Sequence, residues 1–366
     1  VTDALPAQLS IVTPTFCEAA NIALLVDAVA AALPDVRWEI IFVDDNSPDG
    51  TSDAVRAIAQ RDRRVRIVHR YGRRGLSSAC IEGIMTSSAP YVAVMDSDMQ
   101  HDEAILRQMF ARLSQGGVDL VIGSRYIEGG STGEWSRQRV WASRLATRLA
   151  ARLTRTPMND PMSGFFMMRR ETFVTALPNL SSVGFKILLD IAASTPEPVR
   201  LAEVPYTFRT RQHGESKLDS LVLWEYLQLL LDKMFGHVIP VRFLSFALVG
   251  GSGVAVHFAT LTLLFAGFGD EFALAQAVAT FVATSSNFLL NNMLTYRDQR
   301  LKGRGLFLGW VTFNLVCLTG GLANVGIAQY LFSHHNTWPL SALAGIAVTT
   351  VWNYAMSSIF TWKNRR

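Results

Sequence analysis

Residues 39–60 read Glu39-Ile-Ile-Phe-Val-Asp-Asp-Asn-Ser-Pro-Asp-Gly-Thr-Ser-Asp-Ala-Val-Arg-Ala-Ile-Ala-Gln60, and the change of period inside this stretch decides the fold. Glu39–Val43 is a short run rich in β-branched residues, the composition of a strand buried on both faces. Ser52–Gln60 carries apolar residues at helical spacing, and the Pro48-Asp-Gly50 before it is turn chemistry. The same alternation extends both ways. Leu9–Thr13, Arg66–His69, Tyr91–Met95 and Asp119–Gly123 read as strands; Ile22–Leu33, Leu76–Thr86 and Glu103–Leu113 read as helices, the first stopped by Pro34. Strands alternating with helices predict an α/β domain with a Rossmann-like, mainly parallel sheet covered on both faces.

Ligands of such sheets bind beyond the carboxyl ends of the strands, and four strand ends carry polar clusters. They are Pro14-Thr-Phe-Cys-Glu18, Asp44-Asp-Asn-Ser-Pro-Asp-Gly-Thr51, Asp96-Ser-Asp98-Met-Gln100-His101 and Gly123-Ser-Arg-Tyr126. Asp96 and Asp98, one residue apart, suit a hard divalent cation bound through oxygen, with Gln100 as a third donor. Such a cation bridges to the clustered oxygens of a diphosphate and stabilises charge on a leaving group. Asp45 suits a hydrogen bond to a base or ribose. Asp44 reads as a turn cap and Asp49 as a helix-initiating residue.

Beyond residue 240 the composition changes. Phe243–Gly267, Phe272–Leu294, Leu306–Phe332 and Pro339–Trp362 are each long enough to span a bilayer, and His257 is the one side chain inside them that is Asp, Glu, Lys, Arg or His. Arg297, Arg300, Lys302 and Arg304 follow the second span, and Lys363, Arg365 and Arg366 follow the fourth; the other two loops lack Lys and Arg. The positive-inside rule then puts both chain ends in the cytoplasm. Residues 1–10 have no basic start or apolar core, which agrees with a cytoplasmic first domain. The net charge of +4 is modest and its basic residues gather beside the apolar segments. That favours an anionic lipid surface over nucleic acid. Cys17, Cys80 and Cys317 have neither metal-ligand nor disulfide spacing.

The apolar half repeats itself. Asn287-Phe288, Asn291 and Thr295-Tyr-Arg297 recur as Asn353-Tyr354, Ser357 and Thr361-Trp-Lys363, while Phe246-Ala-Leu-Val matches Phe313-Asn-Leu-Val and Gly253 falls on Gly320. Each unit holds two spans, so the repeat is parallel. The glycines allow close helix approach, and Asn287 and Asn353 are candidates for hydrogen bonds between helices. With Val249-Gly-Gly-Ser-Gly253, these endings resemble the GtrA-like membrane domain, whose members are associated with flipping or presenting polyprenyl-linked sugars.

In the first half, Val43-Asp-Asp-Asn-Ser-Pro-Asp-Gly-Thr51, Asp96-Ser-Asp98, Gly123-Ser-Arg-Tyr126 and Gly214-Glu-Ser-Lys217 together resemble the dolichol-phosphate mannose synthases of glycosyltransferase family 2, over about residues 8–235. The resemblance implies a GT-A fold, inversion at the anomeric centre and use of Mg2+ or Mn2+. Carried over by motif, it implies that Pro14, Phe16, Glu18, Val43, Asp45, Asp96, Asp98, Arg211 and Lys217 contact the nucleotide sugar. It implies Asp96, Asp98 and Gln100 as metal ligands, Arg125 and Ser216 at phosphate, and Asp160, in Asp160-Pro-Met-Ser-Gly-Phe165, as an orienting group or weak base. Phe16 stands where Tyr is common, and Leu76-Ser-Ser-Ala79 replaces a glycine-rich stretch.

An acceptor in the bilayer needs a docking face. Arg137, Arg144, Arg148, Arg152 and Arg155 form one helical stripe beside Leu145, Leu149 and Leu153, as in an interfacial helix, and Arg139 lies off that stripe toward the site. Leu218–Phe235 is a second amphipathic segment. The expected organisation is a GT-A domain at 1–217, juxtamembrane helices at 218–240, and four membrane helices at 241–366, in the cell inner membrane. The expected reaction moves mannose from GDP-mannose to a polyprenyl phosphate. A UDP-sugar such as UDP-glucose with undecaprenyl phosphate, and a lipid-sugar flippase with a binding-only soluble half, are the competing readings.

Overall fold

A computed structural model describes residues 5–72, 74–133, 147, 150, 154, 156–181, 186–210, 220–236, 239–267, 272–333 and 337–362. The chain forms two compact units, Val1–Met234 and Phe235–Arg366.

In the first unit the strands are β1 (Leu9–Thr15), β2 (Trp38–Asp44), β3 (Val65–His69), β4 (Tyr91–Val94), β5 (Leu120–Ser124), β6 (Phe166–Arg169) and β7 (Leu201–Pro205). They form one sheet in the order β3-β2-β1-β4-β6-β5-β7. β6 runs antiparallel to both neighbours, and the other strands share one direction. The helices are α1 (Ile22–Ala32), α2 (Thr51–Ala59), α3 (Leu76–Met85), α4 (Leu106–Ser114), α5 (Arg170–Ala176), α6 (Ile187–Ser194) and α7 (Ser220–Phe235).

Alternate residues of each strand enter two separate cores. Ile11, Ile40, Phe42, Ala93, Val121 and Met167 pack with Leu25, Val55 and Met109. Their neighbours Val12, Ile41, Val43, Val94, Ile122, Phe166 and Met168 pack with Ile84, Phe173 and Ile191. Burial on both faces is why the strands read as unbroken apolar runs.

Helix α7 belongs to the first unit, with Tyr226 and Leu229 buried against Met162 and Leu189. The Lys233 ammonium, 9% exposed, pairs with the fully buried Asp190 at 2.6 Å and donates to the Asn179 carbonyl and Ser194 Oγ. The two apolar residues at i and i+3 found a protein surface, and a lysine near the helix end found a carboxylate. The arginine stripe at 137–155, apart from Thr147, Ala150 and Thr154, lies outside the described residues, as do Arg211, Ser216 and Lys217.

The second unit is helical: α8 (Val241–Leu261), α9 (Phe272–Leu290), α10 (Arg304–Ser333) and α11 (Trp338–Met356). Among the described residues, three stretches are long and apolar enough to cross a membrane: Val241–Leu264, Arg304–Leu331 and Leu343–Thr361. The second expected span falls on α9, whose Gln276, Thr280, Thr284 and Ser285 to Asn287 make it more polar.

The repeat is visible in the packing. α9 and α11 each end in a π-helical turn, Asn291–Thr295 and Ser357–Thr361. The matching aromatics Tyr296 and Trp362 stack face to face, 4.0 Å between centroids at 2°. Tyr296 Oη shares a hydrogen bond with Ser358 Oγ at 2.7 Å, and Trp362 Nε1 donates to Asn292 Oδ1 at 3.1 Å. Asn292 and Ser358 are themselves matching positions, so a local two-fold relates the pairs. Phe246, Phe288 and Phe313 complete the aromatic core.

Among the described residues, the carbonyl oxygens of Asn287 and Asn353 are buried without a hydrogen-bond partner. Each asparagine occupies the space of a missing side chain: a Cβ at Gly253 would lie 2.4 Å from Asn287, and one at Gly320 would lie 2.4 Å from Asn353. Gly250, by contrast, has nothing within 4 Å of such an atom. Gly253→Ala should therefore destabilise the membrane unit by about 1–3 kcal/mol through overpacking. Gly250→Ala should be neutral or stabilise it by up to ~1 kcal/mol through helix propensity. Thermal unfolding of the detergent-solubilised variants checks the contrast, and equal effects would count against the packing role.

Candidate active site

Because β1 to β5 run the same way, their carboxyl ends share one edge of the sheet. The reversed strand β6 begins at that edge, so residues 160–165 before it arrive there too. One half of the edge is built by hydrogen bonds between loops. Backbone N–H groups of Cys17, Glu18 and Ala19 donate to Ser47 Oγ (2.8 Å), Thr51 Oγ1 (3.0 Å) and Asp49 Oδ2 (3.2 Å). The Ser-Pro-Asp-Gly-Thr run thus holds the loop after β1. Asp44 is fully buried and accepts from Ser47 N at 3.1 Å, Ser47 Oγ and Ser52 Oγ at 2.6 Å. The hydrogen bonds from Thr51 and Ala19 outweigh partial burial and hold the Asp49 carboxyl below its ordinary pKa. Cys17, Asn46 and Met99 all have positive φ. Three such non-glycine residues, each in a loop after a parallel strand, mark local strain at this edge.

The third strand end also contributes, which the sequence reading passed over. Arg70, 2% exposed, follows β3 and bonds Asp45 Oδ1 (2.7 Å), Ser78 Oγ (2.6 Å) and the Gly75 carbonyl (3.1 Å). Gly75 N donates to Asp45 Oδ2 at 2.8 Å. Both Asp45 oxygens are therefore engaged with the 70–75 loop, and burial raises its pKa despite those contacts. The signal was present in Arg70-Tyr-Gly-Arg-Arg-Gly75, a polar, glycine-flanked cluster directly after an apolar run. Phe16 faces that loop, with the Arg74 guanidinium 4.3 Å from its ring centroid. Glu18 is buried and accepts from Asn21 Nδ2 at 2.7 Å; Val43 is core, and Pro14 lies in β1 itself.

After β4, Asp98 is buried while the Asp96 carboxylate is 34% exposed. Gln100 N donates to Asp98 Oδ1 at 3.2 Å, and Gln100 Nε2 donates to the Arg209 carbonyl at 3.0 Å. With Nε2 donating there, the Gln100 amide oxygen is the side-chain atom whose lone pairs suit a cation. Beneath them His101 Nδ1 accepts from Asp96 N at 3.2 Å, and its ring stacks on Phe165 at 5.1 Å. Burial pushes the His101 pKa down to about 4, so the ring is neutral. Gly164 borders the same carboxylate: a Cβ there would lie 3.0 Å from Asp96 Oδ2. Among the described residues no three Asp, Glu, His or Cys side chains could enclose an ion alone. Two carboxylates and an amide oxygen still fit a Mg2+-like ion, which ordinarily takes its remaining ligands from water and substrate phosphates.

Arg125, expected at phosphate, and Asp160, expected as an orienting group or weak base, meet each other. Asp160 is fully buried and accepts from Arg125 Nε (2.7 Å), Nη2 (2.8 Å) and N (3.1 Å). The bidentate contact holds Arg125 charged above its ordinary pKa against its burial. Ser163 Oγ donates to the Gly123 carbonyl at 2.7 Å, closing the loop onto β5. Asp160 is thus committed to orienting Arg125. Arg139, Arg211, Ser216 and Lys217 lie outside the described residues.

A mainly parallel sheet whose carboxyl edge gathers two neighbouring carboxylates, an anchored arginine and a buried loop scaffold has the GT-A form of a glycosyltransferase. Residues 10–175 match Glycosyl transferase family 2, and residues 245–362 match the GtrA/DPMS transmembrane domain. The chain is 31% identical over 359 residues to a dolichol-phosphate mannosyltransferase of Pyrococcus furiosus, covering 97% of this chain and 99% of that one. It is 38% identical over 234 residues to the Saccharomyces cerevisiae protein of the same name, covering 62% of this chain and 86% of that one. A Mycobacterium tuberculosis glucosyl-3-phosphoglycerate synthase, solved with Mn2+, UDP-glucose and phosphoglyceric acid, aligns with a TM-score of 0.46 at 20% identity over 62% of this chain and 79% of that one. The chain belongs to glycosyltransferase family 2, with dolichol-phosphate mannosyltransferases among its relatives, and carries a GtrA/DPMS transmembrane domain of its own.

Removing one member of a buried ion pair strands the other. Asp160→Ala should lower stability by about 3–5 kcal/mol, read by chemical denaturation of the full chain. Arg125→Leu with Asp160→Leu should lose less than Asp160→Ala alone. Equal losses would mean the two residues are not energetically coupled.

Proposed function

We propose that this chain transfers mannose from GDP-mannose to a polyprenyl phosphate with inversion, forming a β-linked lipid-phosphate mannose. The carrying observation is the Asp96/Asp98 pair at the end of β4, beside the space left by Gly164. The full-length relative whose name states dolichol phosphate and mannose supports the sugar and acceptor class.

In this reading Asp96, Asp98 and the Gln100 amide oxygen hold Mg2+ or Mn2+, and the ion when bound neutralises charge building on the departing diphosphate. The remaining work belongs to the chain. Pro14, Phe16, Glu18, Val43 and Asp45 border the nucleotide, with Arg211 and Lys217 at its phosphates. Arg125, locked by Asp160, keeps a preorganised positive charge at the reacting phosphates; Arg139 and Ser216 join it on the acceptor side. The acceptor is a phosphomonoester with a second pKa of about 6, so it is largely ionised near neutrality and needs no strong base. Its oxygen bonds to the anomeric carbon as the bond from that carbon to the GDP oxygen breaks, and the sugar inverts. Buried, neutral His101 takes no part as a base.

The apolar unit holds the enzyme in the bilayer with four helices, the catalytic unit and both chain ends being cytoplasmic, in the inner membrane. The Arg and Lys residues after α9 and after residue 362 support that orientation. Purified protein with Mg2+ and a short polyprenyl phosphate should yield, by mass spectrometry, a lipid-phosphate mannose from GDP-mannose and no lipid-phosphate glucose from UDP-glucose. Asp98→Ala should cut turnover by roughly a hundredfold or more. Turnover of UDP-glucose without turnover of GDP-mannose would sink the donor assignment, and an active Asp98→Ala would sink the metal site.

A further inference from the structure

We propose that Arg74 reads the donor's base, engaging O6 and N7 of guanine through its guanidinium fork. The inference rests on the GDP reading and deepens it. Three observations place Arg74 for the task. Its loop is tied to β2 at both ends: Arg70 N donates to the Asp44 carbonyl at 2.9 Å, and Gly75 N donates to Asp45 Oδ2 at 2.8 Å. Arg74 therefore extends from a position whose neighbour is anchored, while its own side chain is exposed. Its guanidinium lies 4.3 Å from the Phe16 ring centroid, a contact weak enough at an exposed site to be exchanged for a ligand. That gap is too narrow for a base to slide between the two groups, so a base stacking on Phe16 displaces the guanidinium to its own edge.

The third observation concerns Asp45. Its two oxygens already accept from Arg70 and Gly75, which reduces its capacity to select a base. Phe16 offers a ring face and no polar atom. Recognition of the base edge then falls to a donor on the facing loop. Arginine matches guanine because O6 and N7 are adjacent acceptors; uracil has no such pair, and adenine sets a donor beside its N7. Lysine, as a point charge, lacks the fork.

Nucleotide affinity of the full chain in detergent with Mg2+, measured by calorimetry for GDP, UDP and 7-deaza-GDP, tests this. Arg74→Ala and Arg74→Lys should each lose roughly tenfold or more in GDP affinity and leave UDP affinity nearly unchanged. Wild-type protein should bind 7-deaza-GDP more weakly than GDP, and Arg74→Ala should no longer separate the two. A variant that loses GDP and UDP equally, or a wild type blind to the N7 deletion while still preferring GDP, would overturn the role of Arg74 alone. A wild type that binds UDP more tightly than GDP would overturn the donor assignment, and this inference with it.

Discussion

A buried ion pair fixes the reacting half of the enzyme. Arg125 ends β5 and Asp160 opens the loop into β6, the one strand that runs backward. Removing two charges from water is costly, and only a bidentate contact with a further backbone hydrogen bond makes the arrangement tolerable. Once formed, it dictates where β6 must start. That in turn sets Gly164 against Asp96, Phe165 under His101, and Ser163 onto the Gly123 carbonyl. The Asp96 and Asp98 carboxylates are thus held by a chain of contacts that begins with the Arg125–Asp160 pair.

The other half of the sheet edge follows a different logic. There the loops after β1, β2 and β3 are joined by short polar side chains accepting from backbone N–H groups, with Asp44 and Asp45 at the centre. Backbone donors cannot be exchanged by mutation, so the loop geometry depends on Ser47, Asp49 and Thr51 keeping their acceptors. Residues that look like ligand contacts in a motif serve here as the framework that holds Phe16 in place.

How far the sequence could be read depended on the kind of signal. Strands buried on both faces announce themselves as apolar runs, and five of the seven were found within two residues of their ends. β6 and β7 were missed because Phe166-Met-Met-Arg169 and Leu201-Ala-Glu-Val-Pro205 are short and lack turn residues at clear spacing. Asp160 was seen, but its partner was not, because a contact across 35 residues leaves no local pattern. Arg70 was overlooked because buried arginines are rare. The amphipathic pattern of helix α7 gives its apolar face without naming what covers it, and Met162 and Leu189 cover part of that face.

The stacked Tyr296 and Trp362 carry a consequence for assembly. Each comes from the same place in its own repeat, and each hydrogen-bonds the counterpart of its own neighbour. A two-helix hairpin with such an ending is self-complementary, so two unlinked copies could assemble the same interface as a homodimer. Joining the two hairpins through residues 297–303 in one polypeptide frees the matching positions from identity, and Tyr296 differs from Trp362, and Asn292 from Ser358, while the joint is kept.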